Sequence, residues 1–269
     1  MSAPAGAAIR RAAVIQSKHQ VDLGDAMKAV SLAAERSSCE LVDSPEQADL
    51  CIVLGGDGTI LHALHRFVDT GVPVFAVNFG TIGFLSAVDR DQLEPGLERA
   101  FAGEFETVAL PCLETTAGGE RKLAFNDVTF SRLPHAAMAE LAYRLGGEEV
   151  GAVRCDGLVA ATPAGSTGYN LANGGPILAW GVEGYAVSFI SPHTLTARAL
   201  VVAPGDVLQV RNSASRGAVE VAFDGTRETE LAEGDEIEVR FRDGAGHLAQ
   251  LPGANFYHRM REKFGRLAQ

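Results

Sequence analysis

The ten residues Leu50-Cys51-Ile52-Val53-Leu54-Gly55-Gly56-Asp57-Gly58-Thr59 decide how this chain reads. Their first half is apolar without alternation, the pattern of a parallel strand buried on both faces. Glycines then interrupt the run, and a helical pattern follows through Leu61, Leu64 and Phe67. A strand that turns through glycines into a helix puts the turn at the carboxyl edge of an open α/β sheet, where such sheets take ligands. Glycine lets the backbone approach an anion, and the helix start adds N–H groups and partial positive charge, so phosphate is the natural guest. Asp57 does not suit that guest, because a carboxylate beside a phosphate is repulsive unless it removes a proton or orders a metal ion. Three readings stay open on these residues: a general base for a hydroxyl, a ligand that orders Mg2+, or a cap on the helix in a tight turn.

Working outward, Ala12-Ala13-Val14-Ile15 reads as an earlier strand, and Met27, Val30, Leu32 and Ala33 recur at helical spacing over 25–36. Residues 72–77 form a second buried run, which ends in Asn78-Phe79-Gly80-Thr81-Ile82-Gly83. This second glycine-rich loop is expected to shape the pocket floor beside the first, and a helix through Leu93 and Leu97 closes the half. Beyond about Phe105 the texture changes to alternating polarity, as in antiparallel sheet, over 122–130, 207–211, 218–223 and 236–241. Gly118-Gly119, Gly146-Gly147, Gly205-Asp206 and Gly234-Asp235 supply the turns. The final residues return to helical spacing through Phe256, Met260, Phe264 and Leu267. The pattern predicts an α/β domain over 1–105, a β-rich, sandwich-like domain over 106–250, and a C-terminal helix over 251–269 that packs back on the first domain.

Composition narrows the function. With 269 residues, 46% hydrophobic and 21% charged, the chain can bury a core without covalent staples. Its net charge of −11 repels nucleic acid and anionic lipid, so neither is an expected partner. Cys39, Cys51, Cys112 and Cys155 are too scattered for a zinc or redox motif and read as reduced core thiols. Residues 1–11 lack the apolar run of ~7–15 residues of a signal peptide, and no stretch approaches the ~18 apolar residues of a spanning helix. The expected location is therefore the cytoplasm.

A second constellation starts at Arg154-Cys155-Asp156-Gly157 and continues, after a short apolar strand, into Thr162-Pro163-Ala164-Gly165-Ser166-Thr167-Gly168-Tyr169-Asn170. Proline and glycine break the strand, and hydroxyls and an aromatic ring gather at the junction. A nucleoside could use the hydroxyls and stack its base on Tyr169; a plain capped helix with a half-buried tyrosine reads equally well.

Four motifs together resemble the NAD kinase family: the pentapeptide at Gly55, the pair Asn126-Asp127, the run from Thr162 to Asn170, and Ser191-Pro192-His193-Thr194-Leu195-Thr196-Ala197-Arg198. The pentapeptide is shared by diacylglycerol, sphingosine and 6-phosphofructo-kinases, whereas the combination with the other three points to NAD kinases. The resemblance implies phosphoryl transfer from ATP, or polyphosphate, to the adenosine ribose 2′-hydroxyl of NAD, with Mg2+ or another divalent metal carried on the nucleotide and no protein metal cage. Asp57 resembles the family's catalytic aspartate. Gly55, Gly56, Gly58 and Thr59 match the phosphate loop, and His62 lies where a basic side chain often faces phosphate. Asn126 and Asp127 match an Asn-Glu pair that contacts adenosine, with Asp127 one methylene shorter. Thr167, Gly168 and Tyr169 fall at the adenine, and Asn170, Leu171 and Ala172 continue that wall. Arg154 and Asp156 fall at the nicotinamide side, where such residues can serve a neighbouring subunit, so a homodimer or homotetramer is implied. Ala164 and Gly168 replace the family's usual threonine and alanine, and Thr226, after Asp224-Gly225, replaces a longer polar side chain.

Three rival readings meet obstacles. A lipid or sphingoid-base kinase sits poorly with the −11 charge and with the 162–170 run. A non-catalytic nucleotide sensor has no need of Asp57. A dehydrogenase should show Gly-x-Gly-x-x-Gly after its first strand, and none is present. His62 and His65 lack a third ligand at useful spacing and read as a polar helix face, while His193 reads as a structural histidine or an organiser of the site. The acidic residues between Glu228 and Glu238 read as a solvated strand face.

Overall fold

The computed structural model describes residues 8–18, 23–214, 217–253 and 256–265. The readings made for residues 1–7 and for Leu267 lie outside the described residues. The chain forms two compact units. One holds everything up to Leu110 together with everything after Gly244, and the other is Pro111–Gly244.

The first unit contains β1 (Arg11–Gln16), α1 (Gly24–Arg36), β2 (Glu40–Val42), β3 (Leu50–Gly55), α2 (Asp57–Arg66), β4 (Val74–Asn78), β5 (Val88–Asp89) and α3 (Leu93–Phe101). Its strands run in the order β2-β1-β3-β4, all parallel, with β5 parallel beside β4. Leu50, Ile52 and Leu54 join Phe75 and Val77 in a core with residues of α1 and α3, while the intervening Cys51 and Val53 are just as buried. Burial of both faces is what the unalternating run of β3 demands. Helix α2 packs on β3 and β4 and buries Ile60, Leu61, Ala63 and Leu64. Helix α1 buries Ala26, Val30, Ala33 and Ala34. Leu32, which the sequence spacing places on that face, is exposed, because two residues beyond Val30 lies on the opposite side of a helix.

The second unit follows from β6 (Glu106–Ala117), which begins in the first. It contains β7 (Glu120–Ala124), β8 (Asp127–Arg132), β9 (Ala139–Leu145), β10 (Glu148–Cys155), β11 (Gly157–Ala161), the one-turn helix α4 (Tyr169–Ala172), β12 (Tyr185–Ile190), β13 (Leu200–Val202), β14 (Leu208–Asn212), β15 (Val219–Phe223), β16 (Thr226–Leu231) and the start of β17 (Glu236–Gln250). One antiparallel sheet has the order β13-β12-β11-β8-β15-β16, and a second runs β10-β9-β14-β17. Their alternate residues fill one core: Val128, Phe130, Leu158, Val187 and Val221 from the first sheet, Leu141, Tyr143, Leu208, Val210 and Val239 from the second. The Tyr143 and Phe189 rings meet across it with centroids 5.5 Å apart. Gly118-Gly119 and Gly146-Gly147 close two-residue hairpins with positive φ at all four positions, the geometry such turns require.

Two elements depart from the sequence pattern. Residues 122–130 read as one strand but form two, β7 and β8, with a break at Phe125-Asn126. The strand read over 236–241 continues to Gln250, and its end pairs parallel with β4, Leu248 beside Val74, in the first unit. Helix α5 (Phe256–Phe264) then lies on that unit, with Phe256 and Phe264 flanking Phe84 at 5.8 and 5.9 Å. All four cysteines are free and buried, and burial pushes the Cys39 and Cys155 thiols up to about 11. Among the described residues no helix is long and apolar enough to cross a membrane.

Candidate functional site

In the first unit the site is built from two loops that leave neighbouring parallel strands. Gly55 ends β3, Gly56 is extended, and α2 begins at Asp57. The Asp57 carboxylate does not cap its own helix. It turns to the second loop, where Oδ2 accepts the Phe84 N–H and Oδ1 the Leu85 N–H, each at 3.0 Å. The second loop leaves β4 at Asn78, whose side chain is buried. Its Oδ1 accepts the Gly80 N–H at 2.9 Å and its Nδ2 donates to Asp89 at 2.9 Å. The Phe79 N–H donates to the Gly55 carbonyl at 3.0 Å. Gly56 and Gly80 pass so closely that a Cβ on Gly80 would stand 3.1 Å from the Gly56 Cα. The two glycine-rich loops therefore form one rigid piece that fixes both carboxylate oxygens. Gly58 is exposed with open space around it, His62 lies one turn further along the same helix face and is also exposed, and Thr59 packs its side chain beneath Gly55.

In the second unit the break between β7 and β8 carries Asn126 and Asp127. Asp224 staples it. Its Oδ2 accepts the Phe125 N–H at 2.9 Å, and its Oδ1 accepts those of Asn126 and Asp127 at 2.7 and 3.2 Å. The strand-to-helix junction closes over the same residues. Thr162 takes the Asn126 carbonyl through its N–H at 2.9 Å and the Phe125 carbonyl through its hydroxyl at 2.6 Å. Gly165 lies so close that a Cβ there would stand 2.0 Å from the Asn126 carbonyl oxygen, so no other residue fits. Burial pushes the Asp127 carboxyl up to about 6; the Thr129 hydroxyl, 3.0 Å away, works against the rise and the Asp224 charge adds to it. Thr167 is half-buried, and Gly168 and Tyr169 are exposed beside this turn. Asn170 is fully buried, donating to the Ser166 and Pro176 carbonyls at 3.1 and 2.9 Å, so it holds the loop from within; Leu171 is half-buried and Ala172 exposed. The Ser166 hydroxyl is likewise turned inward, donating to the Pro163 carbonyl at 2.7 Å and accepting the Leu178 N–H at 2.9 Å.

Residues 11–105 match the family model of the ATP-NAD kinase N-terminal domain, and residues 125–250 that of the ATP-NAD kinase C-terminal domain. The chain belongs to the NAD kinase family. It is 37% identical over 222 residues to the NAD kinase of Symbiobacterium thermophilum, covering 81% of this chain and 78% of that one. The NAD kinase from Archaeoglobus fulgidus in complex with ATP superposes with a TM-score of 0.78 at 27% identity, covering 96% of this chain and 98% of that one. Yeast NADH kinase complexed with NADH shares the fold, with a TM-score of 0.82 at 23% identity over 97% of this chain and 89% of its own.

Not every residue singled out in this NAD kinase family member gathers at the Asn126 turn. Arg154 and Asp156 flank the start of β11, while Asn126 and Thr162 lie at its other end, Ala161 pairing with Asp127. Five strand residues separate these ends by roughly 17 Å. Arg154 is exposed at a cavity of about 420 Å³ that Tyr143, Val150, His193 and Thr194 also line, and Asp156 is ion-paired with Arg132. The His193 N–H donates to the Arg154 carbonyl at 2.8 Å, so this segment is anchored through its backbone. Thr226 is exposed. Sequence reasoning missed the part played by Asp224. Its Asp-Gly dipeptide, with φ of +48° and +76°, is fully accounted for as a hairpin turn, which hides the second task of its carboxylate.

Proposed function

We propose that the protein is an enzyme that phosphorylates the adenosine ribose 2′-hydroxyl of NAD, giving NADP, with ATP as donor. The observation that carries the reading is the Asp57 carboxylate, held at the head of α2 by the Phe84 and Leu85 N–H groups within a glycine-rich loop. Asp57 takes the 2′-hydroxyl proton as the oxygen attacks the terminal phosphorus in line, and its two backbone donors fix the direction in which it accepts. A positioned base contributes ~10²–10⁴-fold, and the remainder of phosphoryl transfer is positioning and charge stabilisation.

Gly55, Gly56, Gly58 and Thr59 form the cradle for the donor phosphates, with the α2 N-terminus and the exposed His62 at its rim. A divalent ion, Mg2+ or another, suits this donor set as a companion of the nucleotide. The loop offers one carboxylate, Asp57, beside backbone N–H groups, so phosphate oxygens would complete the shell and Asp57 would be the protein group nearest the ion. That ion would neutralise charge on the phosphates. Asn126 and Asp127 hold the adenosine, Thr167, Gly168 and Tyr169 border the adenine, and Asn170, Leu171 and Ala172 shape that wall from behind. Arg154 and Asp156, set apart at the far end of β11, serve the nicotinamide side of a neighbouring subunit in a homodimer or homotetramer, which light scattering tests directly. Buried free thiols support a cytoplasmic location.

The test is NADP formation from ATP, Mg2+ and NAD, read with an NADP-specific dehydrogenase. Polyphosphate serves as an alternative donor, and fructose 6-phosphate and diacylglycerol as rival acceptors. NADP from the wild type, with turnover lost and NAD binding kept in Asp57→Asn, is the expected result. Folded protein that binds NAD yet makes no NADP with any donor would leave a nucleotide sensor in place of an enzyme.

A further inference from the structure

Helix α5 carries the sequence Phe-Tyr-His-Arg-Met-Arg-Glu-Lys-Phe, the composition of a solvated terminal helix, yet it buries an arginine. Arg259 is 6% exposed, and Gln250, at the end of β17, is 1% exposed. The Arg259 guanidinium donates to the Gln250 side-chain oxygen and to the Ala87 carbonyl. The Gln250 side-chain nitrogen donates to the Leu85 carbonyl at 3.2 Å. The next link is the Leu85 N–H, which holds Asp57 Oδ1. Phe84, whose N–H holds the other oxygen, has its ring against Phe256 and Phe264 of α5. Lys263 pairs with Asp89, which also accepts from Asn78 in the second glycine loop. Burial works against the charge on Arg259, and Asp89, Glu262 and Asp57 work for it. An apolar side chain of similar volume would serve packing at least as well as a buried guanidinium.

We infer that Gln250 and Arg259 are positioning residues for Asp57: through them the C-terminal helix grips the 84–87 segment whose backbone N–H groups aim the carboxylate. The inference rests on the reading of Asp57 as the base. Displacing a reacting group by about 1 Å can lower turnover ~100-fold while substrate binding stays intact.

The experiment compares Arg259→Met, Arg259→Lys, Gln250→Met and Asp57→Asn in the full chain. It measures kcat per folded molecule, KM for NAD, melting temperature, and hydrogen exchange at the Phe84 and Leu85 amides. Both methionine variants should lose kcat at least tenfold with KM within twofold of wild type, exchange those two amides at least tenfold faster, and leave amides in 162–170 unchanged. Arg259→Lys, which keeps a donor, should recover part of the lost kcat. A lower melting temperature with kcat per folded molecule at the wild-type value, or unchanged exchange at both amides, overturns the inference. If Arg259→Met does not fold, Gln250→Met, a neutral replacement of similar size, decides the matter by the same readouts. If Asp57→Asn keeps its turnover, the base reading falls instead, and amide exchange alone decides whether the grip exists.

Discussion

Replacing Asp224 by asparagine tests the staple that shapes the Asn126-Asp127 turn. The aspartate Oδ1 serves two backbone N–H groups and Oδ2 serves a third. Asparagine has one oxygen, so in either amide orientation an NH2 group faces at least one N–H of this buried turn. Leaving such a donor unpaired costs about 1–3 kcal/mol, and the surviving bonds weaken by roughly 1 kcal/mol as they lose their charge. Removing the charge also relieves repulsion with Asp127, but that is the smallest of the influences on the Asp127 carboxyl, so the balance stays destabilising. The expected loss is about 2–4 kcal/mol, or roughly 4–16 °C in Tm for a chain of this size. The sole tryptophan, Trp180, is buried in the unit that contains Asp224, so its fluorescence during urea unfolding reports on the affected unit. KM for NAD should rise at least tenfold as the turn loosens, with a smaller change in kcat. A stability change below about 0.5 kcal/mol, the range of an ordinary surface substitution, together with an unaltered KM would refute the staple.

Three further outcomes follow from the same geometry. Gly165→Ala pushes a methyl group into the Asn126 carbonyl oxygen, and separating the two loops should raise KM for NAD at least tenfold; an alanine variant with wild-type KM would show that the contact is dispensable. The Asp127 carboxyl titrates near 6 when folded against 3.8 otherwise, so its contribution is complete only well below pH 3.8 and is lost as pH rises through 6; the stability of Asp127→Asn relative to wild type should therefore grow by about 2 kcal/mol between pH 4 and pH 7.5, and urea midpoints that track each other across this range would contradict the assignment. The four cysteines should resist a thiol reagent at pH 8 until the protein unfolds, and fast labelling of any of them in the native state would contradict their burial.

The parts of the fold that could be read locally are those whose own residues carry the cause. The apolar run of β3 is buried on both faces, and Gly118-Gly119 and Gly146-Gly147 sit at two-residue hairpins. The departures come from distant partners. The polar pair Asn126-Asp127 interrupts the alternation of 122–130 where the strand breaks, but the staple that holds the break comes from Asp224, 98 residues beyond Asn126. The Asp243-Gly244 dipeptide looks like a strand end, and Gly244 does take a φ of +62°, yet the chain goes on to pair with β4. Leu32 shows the limit of reading periodicity by eye, because its hydrophobicity suggests burial that the helical angle forbids.

The candidate site divides along the same line. Glycine spacing and a strand-to-helix turn mark where an anion can sit, because backbone geometry at a turn is a property of the turn's own residues. They leave the task of Asp57 undecided between base, metal ligand and cap, and its hydrogen bonds to Phe84 and Leu85, 27 and 28 residues on, speak against the cap. Asn170 looks in the sequence like part of a ligand wall and is an internal brace, since Gly175 leaves room for its amide to fold inward. Arg259 gives no local signal: in a helix that also carries His258, Arg261 and Lys263, it is set apart by its bonds to Gln250 and to the Ala87 carbonyl, the latter 172 residues away. Groups that would touch substrate lie in compact motifs, whereas groups that aim them act across long loops, and burial of a polar side chain is the mark by which the second kind is found. By that criterion Gln250 and Arg259 stand out, both buried polar side chains that reach the segment holding the Asp57 carboxylate.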